Sequence, residues 1–123
     1  MTTLSDAPLE LQDSIREFWP DDQWENAARI AELESGFDAF ALNDTTDSEH
    51  PCGTVIDTKG GINITAERSC GYFQINTCNL PAGWEWQRLY NARHNAGTAH
   101  SLWDDAGQSW SPWYYSAQRL GLL

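Results

Sequence analysis

The sequence is poor in basic residues and has no long apolar run. Its 123 residues include 7 Lys and Arg against 18 Asp and Glu, which gives a formal net charge of −11. Proteins that bind nucleic acid or anionic lipid present a basic patch to the phosphates, so neither partner is expected. A membrane-spanning helix needs roughly 20 consecutive apolar residues. No segment of this chain approaches that length, so no membrane span is expected.

Cysteine is also scarce, with Cys52, Cys70 and Cys78 all in the middle third of the chain. Three cysteines are too few for a small domain held together by disulfides. An odd number cannot all pair within one chain, so we expect at most one disulfide and favour one that includes Cys70. There is no CxxC pair, and His50 beside Cys52 supplies only two ligands. Neither a metal site nor a cofactor is expected.

The N-terminal residues, 1–6, lack the basic and apolar regions of a secretion signal. We therefore expect either a protein without a signal peptide or one whose signal has been removed. The length predicts a single domain over residues 1–123. Seven Trp, four Tyr and four Phe exclude a disordered chain. About half of the Trp residues are expected in the core, and at least one is expected to line a sugar-binding cleft.

Helix and turn signals alternate along the chain, with one β-rich stretch in the middle. A first helix starts within 5–8 and stops before Pro20, and a second runs from about residue 22 to 35, with Gly36 behind it. Residues 43–49 read as a polar loop, and 72–75 as a strand or a helix. A hairpin is predicted over 54–57 and 62–65, and further helices over 84–90, 91–105 and 112–120. The fold class is therefore α+β, mostly helical, with a small β-hairpin inserted after the second helix.

The second helix carries one acid on its apolar face. At about 100° per residue, Glu34 lies among the alanines of that face, whereas Glu25 and Glu32 lie on the opposite side. Apolar surroundings and the negative end of the helix dipole both disfavour an ionised carboxylate. A carboxylic acid that stays protonated near neutral pH is what general-acid catalysis requires. Glu34 is therefore a candidate catalytic acid, although a side chain in the last turn can also simply reach water.

Four segments resemble motifs of the lysozyme-like superfamily. The segment 31–41, with Glu34-Ser35-Gly36-Phe37, resembles the E-S-x-F motif that carries the catalytic Glu at a helix end. The segment 71–76 resembles the G-x-[FM]-Q-I-N motif, and 90–99 resembles a Y-N-x-x-x-N-A helix. Trp110-Ser111-Pro112-Trp113 resembles the W-x-P-W ending of bacterial and phage members. The nearest branch is the group of soluble lytic transglycosylases and goose-type lysozymes, which includes small phage cell-wall lytic proteins.

This resemblance implies a lysozyme-like fold and a peptidoglycan-cleaving activity. The implied substrate is the β-1,4 bond between N-acetylmuramic acid and N-acetylglucosamine in glycan strands, with Glu34 as general acid. The implied substrate-binding residues are Gln74, Tyr72, Asn76 and Asn95. For Asn95, a structural hydrogen bond is the more common role. The resemblance also implies that the protein is a monomer or a component of a phage particle. It acts on the cell wall from the extracellular or periplasmic side, or in a phage-infected host.

The chain departs from the animal lysozymes at the second carboxylate. Those enzymes carry an acid two residues before the G-x-x-Q-I motif, where this chain has Ser69. A retaining glycosidase normally uses two carboxylates about 5 Å apart. Either the substrate's N-acetyl group assists and gives a 1,6-anhydro product, as in lytic transglycosylases, or Glu67 or Asp57 supplies the second carboxylate. We favour the first route. A non-catalytic glycan-binding or structural phage domain is the alternative from a different functional class.

Overall fold

The computed structural model describes residues 1–45 and 54–123, which form four α-helices, a small antiparallel sheet and several 3-10 turns. The helices are α1 (Leu9–Phe18), α2 (Trp24–Ser35), α3 (Ala92–Asp105) and α4 (Tyr114–Arg119). The strands are β1 (Leu42–Thr45), β2 (Thr54–Lys59), β3 (Ile62–Cys70) and β4 (Ile75–Asn76). This arrangement confirms the predicted α+β class with a mainly helical content.

The ends of the helices follow local sequence signals. Pro20 forces the residue before it into an extended conformation, and α1 accordingly ends as Trp19 adopts φ −100° and ψ 150°. Gly36 ends α2 in the left-handed conformation, with φ +63°. Asn91 accepts a hydrogen bond from the His94 amide and so caps the first turn of α3. The predicted helix over 84–90 is a 3-10 helix over Trp86–Tyr90, and the last predicted helix divides into a 3-10 turn and α4.

The sheet is built around the long strand β3. Strand β2 pairs with the first part of β3 and confirms the predicted hairpin, with one register shift between Val55 and Asp57. Strand β1 pairs with the last four residues of β3 from the other edge. The short β4 returns beside Ser69 and Cys70 after a tight turn, so 72–75 is mostly turn rather than a strand or a helix.

One hydrophobic cluster joins the helices to the end of the sheet. Four of the seven Trp are buried in it, which confirms that about half of them fill the core: they are Trp19, Trp103, Trp110 and Trp113. Trp110 packs against the other three rings, with centroid distances of 5.6 Å to Trp19, 6.0 Å to Trp103 and 5.5 Å to Trp113. Burial of aromatic rings is a large source of hydrophobic stabilisation, so this cluster anchors α1, α3 and the start of α4 to one another.

Two further expectations from the sequence, the polar loop and the disulfide of Cys70, are wrong. Residues 43–45 are not a loop, because they belong to β1 and pair with Ser69, Arg68 and Glu67 of β3. The rest of the predicted loop, 46–49, lies outside the described residues. Cys70 does not form a disulfide. Its side chain is fully buried as a free thiol, whereas Cys78 is disulfide-bonded. Cys52 and His50 lie outside the described residues.

Burial also changes the chemistry of the Cys70 thiol. Removal from water disfavours the thiolate and raises the pKa of Cys70 to about 11. This cysteine therefore behaves as a small apolar side chain at the end of β3. Across the described parts of the chain, no helix is both long enough and apolar enough to cross a bilayer.

Candidate active site

Glu34 lies in the last turn of α2, where the helix leaves the core. The buried face of α2 consists of Ala27, Ala28, Ile30 and Ala31. Glu34 follows that face by one turn and is half-buried. The chain then turns away at Gly36, so the carboxyl group is held at the edge of the core rather than out in solvent. This placement agrees with the helical periodicity of the sequence.

Two opposing influences act on the Glu34 carboxyl. Burial raises its pKa because it disfavours the charged form, and this is the larger influence. Ser116 Oγ donates a hydrogen bond to Glu34 Oε2 at 2.8 Å, which favours the charged form and lowers the pKa. The net result is a pKa above the ordinary value for Glu. The raised pKa expected from the sequence is therefore present, with burial as its main cause.

Ser116 is a site residue that the sequence did not reveal. It is buried in α4, and 82 positions separate it from the carboxyl that it contacts. Its neighbours Tyr114 and Tyr115 are exposed and pack edge to face, with ring centroids 5.5 Å apart. The available sequence signal was the Trp110–Trp113 motif just before α4. That motif marks the segment but does not indicate which hydroxyl reaches Glu34.

Gln74 ties the second motif to the chain segment that leaves α2. Its side-chain nitrogen, Nε2, donates to the carbonyl oxygens of Ala41 at 3.1 Å and Gly71 at 3.0 Å. The Gly71 amide donates to the same Ala41 oxygen at 2.8 Å. Gln74 Oε1 in turn accepts from Asn43 Nδ2 at 2.6 Å. These bonds hold Gln74, in the turn after β3, against Ala41 and Asn43 in the chain that follows the Glu34 helix.

A tryptophan connects the second motif to the last one. Trp113 Nε1 donates to the Phe73 carbonyl oxygen at 2.8 Å, and the two rings pack edge to face. Trp113 stands three residues before Ser116, which contacts Glu34. Direct hydrogen bonds thus join the segment 71–76 to 31–41, from Gln74 to Ala41, and to 110–113, from Trp113 to Phe73.

Asn95 has a structural role at the centre of this arrangement. It is fully buried, and its Nδ2 donates to the carbonyl oxygens of Cys70 and Leu89, each at 2.8 Å. Its Oδ1 accepts from the Phe73 amide at 2.9 Å. All of these bonds go to backbone groups around the tight turn after β3. Asn95 therefore holds the turn in place and presents no polar atom to a ligand.

Tyr72 and Asn76 are also placed by local structure. Tyr72 is 2% exposed and its hydroxyl donates to Glu10 Oε1 on α1, so it lies in the core and not on the wall of a cleft. Burial and the adjacent carboxylate raise its pKa above the ordinary range of a tyrosine. Asn76 is half-buried, and its Oδ1 accepts from the Cys78 amide at the start of a 3-10 turn. Gln74 differs from the other three implied substrate contacts in that it is hydrogen-bonded to the chain that follows the Glu34 helix, at Ala41 and Asn43.

The candidate second carboxylates lie on the sheet. Glu67 is in β3, opposite Thr45, and its Oε1 is 2.9 Å from the Cys78 sulfur. It shares a strand face with Ser69, as expected for an extended segment. Asp57 is exposed on β2 and accepts from the amide of Thr58. The hydrogen bond to Glu34 in this structure comes from α4, on the helical side of the molecule.

Exposed and half-buried aromatic rings form a row near the end of α2. Phe40 is 71% exposed and packs against Tyr90, with ring centroids 5.4 Å apart. Tyr90 packs in turn against Trp86 at 5.5 Å. The guanidinium of Arg68 lies over the Trp86 ring at 4.2 Å. The aromatic row consists of Phe40, Tyr90 and Trp86.

In residues 1–45 and 54–123, no group of three or more His, Cys, Asp or Glu is arranged to hold a metal ion. Comparisons with protein-family models, with curated proteins and with solved structures gave no match for this chain.

Proposed function

We propose that this protein is a peptidoglycan-cleaving glycosidase in which Glu34 is the general acid. The observation that carries the proposal is the state of Glu34, a half-buried carboxyl with a raised pKa and one buried hydrogen-bond donor. A general acid must be protonated at the working pH and must be held still. Among the described carboxyl groups, Glu34 is the one whose pKa is raised.

The hydrogen bond from Ser116 also orients the acid. Because Ser116 Oγ donates to Oε2, that oxygen acts as an acceptor and Oε1 is left to carry the proton. Oε1 would give this proton to the glycosidic oxygen as the bond to the anomeric carbon breaks. Glu34 is then a carboxylate, and it can take a proton in the second half of the reaction.

We favour a lytic transglycosylase reaction for the second half. The substrate's own N-acetyl oxygen would stabilise the positive charge at the anomeric carbon, and its 6-hydroxyl would attack that carbon and return a proton to Glu34. The products are a 1,6-anhydromuramic acid end and a free 4-hydroxyl. The presence of Ser69 where animal lysozymes carry an acid supports this route. A two-carboxylate hydrolase that uses Glu67 or Asp57 is the competing reaction.

The aromatic row supports a carbohydrate as substrate. Flat rings stack on the apolar faces of sugars, and Phe40 is exposed just six residues after Glu34. The side-chain amide of Asn43, in the chain that follows the Glu34 helix, is bonded to Gln74 through one of its N–H groups and has further donor and acceptor capacity for hydroxyl and N-acetyl groups. The proposal places the site of action at the cell wall, whether a bacterium or a phage supplies the protein.

The proposal is tested by replacing Glu34 with Gln, which keeps the shape of the side chain but removes the acidic proton. General-acid catalysis contributes about 10²- to 10⁴-fold, so clearing of a peptidoglycan suspension should slow by at least about 100-fold. Glu32→Gln is the matched control, because Glu32 is on the same helix, bonded to Thr2 rather than to Ser116. It should clear the suspension at the parent rate.

Both variants must melt cooperatively near the parent temperature for the rates to be compared. Equal clearing by the parent and the Glu34→Gln variant would refute the assignment of the acid. Binding of glycan strands by the parent without any cleavage would instead indicate a glycan-binding or structural domain.

A further inference from the structure

A cavity of about 410 Å³ lies on the face of α3 that points away from the core. Its walls come from α3, from the end of α1 and from the segment 79–84. Glu34, Ser116 and the aromatic row do not line it. Its volume falls within the range of about 300–1,000 Å³ for small-molecule sites. No step of the proposed reaction uses this cavity.

One wall of the cavity is a row of hydrogen-bond acceptors. Thr98, Ser101 and Asp105 follow one another at spacings of three and four residues, so they share one face of α3. The Thr98 hydroxyl donates its proton to the His94 carbonyl oxygen at 2.9 Å, and the Ser101 hydroxyl donates to Gly97 at 3.2 Å. With these protons used inside the helix, both oxygens present lone pairs to the cavity.

The charges at the cavity leave one carboxylate uncompensated. The guanidinium of Arg93 makes a bidentate ion pair with Glu17, with contacts of 2.7 to 3.0 Å. Asp105 has no hydrogen-bond or ion-pair partner in the described chain. A ligand that enters this cavity therefore meets a negative charge at Asp105 and hydroxyl oxygens along α3.

Another part of the cavity lining is apolar and aromatic. Phe18 and Leu102 are half-buried beside the cavity, and Trp84 closes it on the side of the 79–84 segment. Phe18 also lies 3.0 Å from the point where a β-carbon on Gly97 would be, so the small residue lets the ring approach the helix. Both rings already lie beside a guanidinium, with Arg93 5.8 Å from the Phe18 centroid and Arg88 4.9 Å from the Trp84 centroid. This wall therefore suits the apolar stem of a ligand, and a cation is left to the acceptor wall.

We propose that this cavity binds a primary ammonium group carried on a short apolar stem, with Asp105 as the counter-ion. The ammonium has three donors and no acceptor, and Ser101 and Asp105, one helical turn apart on α3, offer it neighbouring acceptors. The stem would lie against Phe18, Trp84 and Leu102. A free amine and a lysine-like side chain of a peptide share this chemistry. The proposal does not depend on the activity of Glu34.

The test is an NMR titration of the full-length ¹⁵N-labelled protein with benzylamine and, separately, with benzyl alcohol. The two probes have nearly the same shape, but benzyl alcohol carries no charge. We expect saturable shifts of the amide signals of 98–105 and of the Trp84 indole with benzylamine. Benzyl alcohol should bind at least about fivefold more weakly, a modest factor because Asp105 is exposed.

Substitution of the counter-ion provides the matched comparison. Asp105→Asn should weaken benzylamine binding by about fivefold, whereas Asp104→Asn should not change it, because Asp104 is exposed and does not line the cavity. Glu34→Gln should bind benzylamine like the parent, which separates this proposal from the proposed function. Equal affinity for the two probes, equal effects of the two Asp variants, or no shift within 98–105 would overturn it.

A second pair of probes identifies the source of the ammonium group. Nα-acetyl-lysine N-methylamide carries the amine on a peptide-like stem, and its Nε-acetylated form lacks the charge. Binding of the first and not of the second indicates a lysine-like peptide side chain. Binding of benzylamine alone indicates a free small amine, and either result supports the ammonium site.

Discussion

At the scale of single residues, Glu34 shows how position along a helix sets chemistry. The apolar face of α2 brings the carboxyl to the edge of the core, where burial raises its pKa. Ser116 limits that rise and fixes which oxygen accepts a hydrogen bond. A general acid needs both properties, because a carboxyl that is too exposed ionises and one without a partner is not oriented.

Ser116→Ala should move the pH profile of activity. Loss of the hydroxyl removes a hydrogen bond that favours the ionised form, so the pKa of Glu34 should rise further above its ordinary value. Since the general acid must be protonated, activity falls as pH increases through this pKa, and that limb should shift to higher pH. The shift is measured from rates of peptidoglycan clearing across pH, and independently from the NMR titration of the Glu34 carboxyl.

The raised pKa of Glu34 also makes the stability of the protein depend on pH. The folded-state pKa of Glu34 is raised, so folding favours its protonated form and the associated stability is present at low pH. It is lost as pH rises from the ordinary Glu pKa through the folded-state value.

The control for the Ser116→Ala titration is Ser101→Ala, which removes a hydroxyl bonded to the helix carbonyl of Gly97 and should leave the Glu34 titration unchanged. An unshifted titration in Ser116→Ala would contradict the role given to this hydroxyl.

At the scale of elements, the tight turn after β3 organises the second motif. Gly71 has φ +75°, and a β-carbon there would lie 2.4 Å from Asn95 Nδ2 and 2.5 Å from the Leu89 carbonyl oxygen. Only glycine satisfies both constraints. Asn95 then bonds to three backbone groups around this turn, which ties α3 to the end of the sheet.

Gly71→Ala should destabilise the fold strongly. The added methyl group meets backbone as well as side-chain atoms, and the left-handed conformation is strained for alanine. We expect a loss of about 3 kcal/mol or more in the free energy of unfolding, from the combined cost of overpacking and backbone strain. Urea denaturation followed by tryptophan fluorescence measures this loss.

Gly60→Ala is the control for backbone strain alone. Gly60 has φ +57° in the β2–β3 turn, and no atom lies within 4 Å of the position of its β-carbon. The expected loss is about 1–2 kcal/mol, the cost of a left-handed residue other than glycine. Equal losses at the two glycines would show that the close approach of Asn95 and Leu89 carries no energetic weight.

At the scale of the whole molecule, the proposed site is assembled from segments that are far apart in sequence. The end of α2 supplies Glu34, the turn after β3 supplies Gln74, and α4 supplies Ser116. Trp113 connects the last two through its bond to the Phe73 carbonyl. The turn after β3 is therefore tied both to the chain that follows α2 and to the segment before α4.

The products of digestion distinguish the two possible reactions. If the substrate's N-acetyl group supplies the second function, Glu67→Gln and Asp57→Asn should each retain most of the activity, and fragments should end in 1,6-anhydromuramic acid. Mass spectrometry of the digest reads these ends directly. Reducing ends, together with loss of activity in Glu67→Gln, would instead establish a two-carboxylate hydrolase.

Local signals in the sequence determined the helices and the placement of Glu34. Pro20, Gly36 and Asn91 act on their own backbone or on the next turn, so the ends of α1 and α2 and the start of α3 could be predicted from neighbouring residues. The period of α2 likewise placed Glu34 on the apolar face. The β2–β3 hairpin followed from two β-rich stretches around a glycine turn.

Only the tertiary structure decided the remaining features, because each depends on a partner distant in sequence. Strand β1 is polar and exposed, and it is a strand because its backbone pairs with residues 67–70 of β3. Cys70 is a free thiol because β3 ends with that side chain in the core. Ser116 reaches Glu34 because α4 packs on α2. A contact across 82 residues leaves no periodic or local trace in a single sequence, so the hydrogen bond to the acid became visible only in the folded molecule.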